Sequence, residues 1–141
     1  DKTNLNTYIA YCFAEKKGYS KFGKYLGTGS STGTPFIYTG FRPAFVMTKV
    51  MSGGNDAWSL TDIPRDNAVG GDGNSTGARL TANETAAEST NTSWASIQKY
   101  SNGFSPQGTD GVTNATGYTY IYMAFAEAPL VGTNNVPANA R

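Results

Sequence analysis

The chain has 141 residues, 11 basic and 10 acidic side chains, a net charge of +1, and 15% charged against 13% aromatic residues. So small a charge leaves no electrostatic footprint for nucleic acid or an anionic membrane surface, and neither is an expected partner. With no histidine and one cysteine, the usual general base, Ser-His and Cys-His nucleophile pairs, an intrachain disulfide and a His/Cys zinc site are all excluded, so no metal and no cofactor is expected.

A chain of this length suits one domain that buries about two-thirds of its unfolded surface. Abundant Gly, Thr, Ser and Asn with many aromatics predict an all-β fold, an antiparallel β-sandwich of jelly-roll or lectin-like type with long glycine-rich loops. No run approaches the about 18 apolar residues of a membrane span, and Asp1-Lys2-Thr3-Asn4 does not have the shape of a signal peptide. Three parts are expected: an N-terminal strand in residues 1–17, the sandwich module in 18–128, and a polar linker or tail in 129–141.

The first element is the apolar run Thr7-Tyr8-Ile9-Ala10-Tyr11-Cys12-Phe13-Ala14-Glu15. It aligns with Thr119-Tyr120-Ile121-Tyr122-Met123-Ala124-Phe125-Ala126-Glu127, with six of nine positions identical. Two strands of one sandwich share aromatic and β-branched residues by need, but the common Phe-Ala-Glu ending points to duplication. The second copy closes the unit. The first is then surplus, either the last strand of a preceding repeat or a strand donated to a neighbour, with Tyr8, Ile9, Tyr11 and Phe13 as candidate assembly residues. Cys12, inside the run, is expected to be a small buried hydrophobe, and Tyr8, Phe13, Phe45, Trp94, Tyr120 and Phe125 are expected in the core.

Lys16, Lys17, Lys21 and Lys24 read as a solvated strand edge that discourages edge pairing. Strands are predicted at Phe22 to Leu26 and Pro35 to Tyr38, joined through Gly27 to Gly33 as a hairpin loop. Ala44 to Met51, apolar on both faces except at Thr48 and Lys49, reads as the central strand. Trp58, Leu60 and Asp62 recur at period two and predict a half-buried strand.

Pro64 to Thr76 is read as a long loop of the kind that carries function. Within it, Asp72-Gly73-Asn74-Ser75-Thr76-Gly77 has the rhythm of a calcium loop without flanking helices, and ordinary loop composition is the preferred reading. Trp58, Asp72 and Asn74 are the candidate surface or ligand-binding residues. Arg79 to Ala82 is a further strand, Glu84 to Glu88 a single helical turn, and Ser93 to Tyr100 with Gly103 to Ser105 a hairpin turning at Ser101-Asn102-Gly103. Four sequons, at Asn74, Asn83, Asn91 and Asn114, are accounted for by the Asn-, Ser- and Thr-rich composition.

A glycosidase needs only two carboxylates, and Asp56, Asp62, Asp66, Asp72, Glu84, Glu88 and Asp110 are available. None has a flanking aromatic platform at Glu84 or Glu88, and solvated loop carboxylates are the preferred reading. No catalytic residue is assigned, and the chain is expected not to be an enzyme.

Tyr8-Ile9-Ala10-Tyr11-Cys12-Phe13-Ala14-Glu15, Gly18-Tyr19-Ser20-Lys21-Phe22-Gly23, Gly40-Phe41-Arg42-Pro43-Ala44-Phe45-Val46-Met47, Ser101-Asn102-Gly103-Phe104 and Tyr120 to Glu127 together resemble a module of large virion structural and tail proteins of phages, especially marine ones, often beside concanavalin-like lectin domains. The resemblance implies a β-sandwich on a virion surface or in a tail fibre, acting in assembly or host-surface attachment. It supplies no catalytic residue. Expected partners are copies of the chain or neighbouring virion and fibre subunits, with a cell-surface glycan second. The alternative is a homopolymeric extracellular fibre built by strand donation.

Overall fold

The computed structural model describes residues 7–68, 75–76, 78–90 and 96–128. Nine strands are placed: β1 (Ser20–Leu26), β2 (Ile37–Tyr38), β3 (Pro43–Ser52), β4 (Ser59–Asp62), β5 (Ser75–Thr76), β6 (Arg79–Leu80), β7 (Ile97–Tyr100), β8 (Gly103–Pro106) and β9 (Thr119–Ala126), with one short helix, α1 (Ile63–Ala68), after β4. They form two antiparallel sheets, one of five strands in the order β1-β9-β3-β4-β6 and one of four in the order β2-β8-β7-β5. Mainly antiparallel strands in two sheets around a shared core make the fold all-β and sandwich-like.

β9 lies between β1 and β3, the two longest pairings in the molecule. Ser20 to Leu26 run against Phe125 to Thr119 on one side, and Pro43 to Ser52 against Ala126 to Thr119 on the other, with irregularities between Pro43 and Phe45 and between Val50 and Ser52. Alternation along these strands sends Tyr25, Val46, Val50, Tyr120, Tyr122 and Ala124 inward, where they meet Ile37, Phe41, Ile97 and Phe104. Tyr25 stacks on Tyr120 with centroids 5.0 Å apart and 12° between planes, and Phe104 meets Tyr122 edge-on at 5.3 Å. Each such buried side chain contributes about 1.5–3 kcal/mol of transfer free energy.

The polar tips of the same tyrosines fasten a loop. Tyr25 donates its hydroxyl proton to the carbonyl of Thr113 at 2.7 Å. Tyr120 donates to the carbonyl of Gly111 at 2.7 Å and accepts the amide of Ala115 at 2.9 Å. Asn114, fully buried, accepts the amide of Thr28 at 2.9 Å and donates to the carbonyls of Gly108 at 2.8 Å and Ser30 at 3.1 Å. The segment before β9 is thus bolted to the segment after β1. The contact is close enough that a Cβ at Gly27 would overlap the carbonyl oxygen of Ala115.

Several local expectations change. Tyr120 is core as predicted, but Phe45 and Phe125 are only half-buried and lie on the other face of the sheet. β1 and β2 belong to different sheets, so Gly27 to Gly33 is not a hairpin loop but a crossing held by Asn114. β4 is the half-buried strand expected, with Ser59 and Thr61 on its buried side and Leu60 and Asp62 on the half-exposed side. The loop after β4 begins with α1 because Asp62 caps it: its carboxylate accepts the Arg65 amide at 2.9 Å. Glu84 to Glu88 forms no helix, and the turn lies just before it, at Ala82 and Asn83. Asn114 is no glycosylation site in the folded chain, because its amide is buried and already donates twice. Trp94 and the tail 129–141 lie outside the described residues.

Candidate functional site

The outer face of the five-stranded sheet carries an unbroken apolar row. Antiparallel partners share a face, and Phe22 on β1 pairs with Met123 on β9, Met123 with Met47 on β3, Met47 with Leu60 on β4, and Leu60 with Leu80 on β6. Five strands at the usual spacing make this row about 19 Å wide. Phe125 and Phe45 pair beside it on one flank, and Lys24, Ile121 and Lys49 form the row on the other. Sequence reasoning missed the row as a unit, although the lack of alternation in β3 and β9 was its signal.

A cleft of about 290 Å³ opens on this face, lined chiefly by Phe22, Met47, Trp58, Ile121 and Met123. Trp58 reaches it from the residue before β4, its amide hydrogen-bonded to the Asn83 side chain at 2.9 Å. The predicted ligand residue Trp58 is therefore half-buried at an apolar cleft. Asp72 and Asn74, and with them the calcium-like loop, lie outside the described residues apart from Ser75 and Thr76.

The run Thr7 to Glu15 forms no strand within this chain. Tyr8, Ile9 and Tyr11 are 81%, 79% and 81% exposed and Phe13 is 59% exposed, and Cys12 is exposed as well. The expectation that Tyr8, Cys12 and Phe13 are buried is corrected for a physical reason: β1 and β3 already flank β9, the second copy of this run, and the first copy is not laid down as a strand on the open edge of β1, so no sheet covers its side chains. One bridge, Lys16 to Ser20, starts a hairpin with β1 and goes no further. The Ser20 hydroxyl donates to the Ala14 carbonyl at 2.9 Å, and Lys21 pairs with Glu15 at 2.6 Å. That hydrogen bond holds the Glu15 carboxyl below, and the Lys21 ammonium above, their ordinary ranges. Phe13 touches the sheet face, with its ring 6.3 Å from Phe22 and 6.0 Å from Phe125.

Burial raises the pKa of all three inward tyrosines: Tyr25 well above the phenol range, Tyr122 above it, and Tyr120 to about 12, the last helped by the nearby carboxylates Asp56 and Asp110. These groups are neutral at any physiological pH, and Tyr25 and Tyr120 serve as hydrogen-bonding anchors. Asp66 and Asp72 aside, whose side chains lie outside the described residues, Asp62, Glu84, Glu88 and Asp110 are engaged or exposed. Asp62 and Glu88 are both engaged by Arg65, at 2.5 and 3.2 Å, Asp110 accepts the Val112 amide at 2.8 Å, and Glu84 is exposed. Among the described residues no group of three or more His, Cys, Asp and Glu side chains is placed to hold a metal ion, and no helix is long and apolar enough to cross a membrane.

A second cleft, of about 450 Å³, is lined by Glu15, Lys17, Gly18, Ser20 and Lys21 together with Tyr38, Thr39 and Gly40 of the β2–β3 connection. No curated protein and no solved structure matches the chain. A family model does match, over residues 1–129, and so takes in both copies of the repeated strand: the chain belongs to the family described as Domain of unknown function (DUF7483).

Proposed function

We propose that this chain is a non-enzymatic structural module of a virion surface or tail-fibre protein, which assembles with copies of itself through the segment Thr7 to Glu15. The observation that carries the reading is the exposure of four large apolar side chains, Tyr8, Ile9, Tyr11 and Phe13, in one run that is not a strand of either sheet among the described residues. Contiguous exposed apolar surface of this kind marks an interaction site. The family model spans both copies of the repeat, which supports treating the first copy as part of the working unit. The resemblance to phage tail and virion modules supports the setting, and a jelly-roll or lectin-like sandwich would suit it.

Removing residues 1–16 tests the reading. The parent chain is expected to self-associate with rising concentration in sedimentation velocity, and the truncated chain to remain a folded monomer, since the deleted run contributes no strand to either sheet. Unchanged association after the deletion would reject the segment's role.

Attachment to a cell-surface glycan is a second reading favoured by the second cleft, whose lining combines the exposed ring of Tyr38 with the charged side chains of Glu15, Lys17 and Lys21. An exposed aromatic face with adjacent hydrogen-bonding groups is the arrangement that sugar stacking uses. A glycan array in which Tyr38→Ala loses all signals of the parent chain would support it; an array with no signal for the parent would end it.

A further inference from the structure

We propose that the apolar cleft on the outer face of the five-stranded sheet receives Ile9 and Tyr11 from a second copy of this chain. The inference rests on the assembly reading above and names the receptor for the exposed segment. Each copy carries both the exposed Ile9 and Tyr11 and an open apolar cleft, so two copies can engage each other by a reciprocal, two-fold exchange.

The face has already accepted one ring of the run. Phe13 rests against Phe22 and Phe125, and Phe22 is also a wall of the cleft. In an extended segment Ile9, Tyr11 and Phe13 project to one side, so the residues that extend the Phe13 contact are the two assigned to the cleft. Between Thr7 and Ala14 the run holds no charge, and the lining offers none to oppose it. Met47 and Met123 with Trp58 suit an aromatic guest, through sulfur–ring contact and ring packing. Tyr11 in addition keeps a hydroxyl that can face water at the cleft mouth.

The repeat offers a rival use, replacement of β9 in a second copy, and the side chains argue against it. At the position of Tyr122, whose ring packs on Phe104 at 5.3 Å, the first copy has Ala10. At the fully buried Ala124 it has the larger Cys12. Exchange would leave a ring-sized void at one inward position and crowd the other. The outward half of the pattern is the better kept: Ile9 and Phe13 repeat Ile121 and Phe125, and Tyr11 stands for Met123. The run therefore retains the outward-facing chemistry and has lost the inward fit.

The experiment uses the full chain and three variants: the 1–16 deletion, Tyr11→Ser on the donor side and Ile121→Lys on the receptor side, with thermal unfolding to confirm that each is folded. Tyr11 is free of the fold, so its variant reports on association alone. Expected in sedimentation equilibrium is self-association about tenfold or more weaker for each point variant. Mixing the two restores association above either alone, because the mixed pair keeps one intact donor and one intact cleft. A photo-crosslinking amino acid in place of Tyr11 is expected to join peptides carrying Met47 or Met123 of another copy. If the deletion abolishes association while Ile121→Lys leaves it at the parent value and the crosslink falls elsewhere, the cleft is not the receptor, and the assembly reading stands without it. If the deletion leaves association unchanged, or the parent is a monomer throughout, both are overturned.

Discussion

Replacing Tyr120 with phenylalanine removes one oxygen atom and keeps the stack on Tyr25, so it isolates what the hydroxyl contributes. That oxygen donates to the Gly111 carbonyl at 2.7 Å and accepts the Ala115 amide at 2.9 Å, and the Tyr120 side chain is wholly buried. Losing it strands one backbone acceptor and one backbone donor, and each such group costs about 1–3 kcal/mol when left unmet. The expected loss is about 2–4 kcal/mol, set against the about 5–15 kcal/mol that holds a domain folded. Urea unfolding followed by circular dichroism is the assay: with a slope of about 1–3 kcal/mol/M the midpoint should fall by roughly 1–2 M with the slope unchanged. A loss below about 0.5 kcal/mol would refute the anchoring argument, because it would mean that water takes up both backbone groups and that the loop is not closed by the tyrosine.

The same loop supports three further tests. Asn114→Ala strands the Thr28 amide and the carbonyls of Gly108 and Ser30, so a loss of about 3 kcal/mol or more is expected from three unmet groups, read in the same unfolding assay. Gly27→Ala places a methyl group on the Ala115 carbonyl oxygen, and an expected loss of about 1–3 kcal/mol from overpacking should appear as a lower thermal midpoint. Alkaline titration tests the buried phenols. An acid whose folded pKa is raised lends stability below its unfolded value of about 10 and loses it as pH rises through the folded value, here about 12 for Tyr120. The stability gap between the parent chain and Tyr120→Phe should therefore narrow between these limits, and a gap that stays constant with pH would contradict the burial of that phenol. Phe104→Ala, at the contact between the two sheets, should cost about 3–5 kcal/mol and is checked by chemical unfolding.

Strands with strong local signals were legible in the sequence. Ala44 to Met51 and Thr119 to Glu127 announce themselves by apolar density, and Ser101-Asn102-Gly103 marks the β7–β8 turn, which pairs Tyr100 with Gly103 as expected. Features decided by distant partners were not legible. Whether Phe22 to Leu26 and Pro35 to Tyr38 share a hairpin depends on Asn114, far along the chain, which pins the intervening segment. On β4 the inward residues Ser59 and Thr61 are small and polar, so period two alone selected the more apolar outer set; the Thr61 hydroxyl is in fact accommodated by donating to the Val46 carbonyl at 3.3 Å. Helix α1 carried its signal openly in Asp62-Ile63-Pro64, a cap followed by proline in the first turn, and glycine-rich surroundings hid it. For the candidate site, single residues such as Trp58 and Tyr11 stood out, but the row from Phe22 to Leu80 exists only once register is known.

That row also bears on why the sequence is written as it is. An antiparallel sheet with one face in water alternates apolar and polar residues, whereas strands covered on both faces read as continuous apolar runs. β9 and β3 are of the second kind: Tyr120, Tyr122 and Ala124 with Val46 and Val50 face the core, while Ile121, Met123 and Phe125 with Phe45 and Met47 face outward. Among the described residues only the inner face has a second sheet against it. Folding of the monomer needs no methionine or phenylalanine on the outer side, where lysine or threonine would serve β-propensity and solubility as well. The flanking rows follow that rule in part, with Lys24 and Lys49 pairing on either side of Ile121, so polar substitution is tolerated at neighbouring positions of the same face. Apolar residues kept in line across all five strands are thus a feature that two layers do not require and a third layer does. Among the described residues the rings of Phe13 and Tyr19 rest on this face at Phe125, and the second copy proposed above would supply more of that layer.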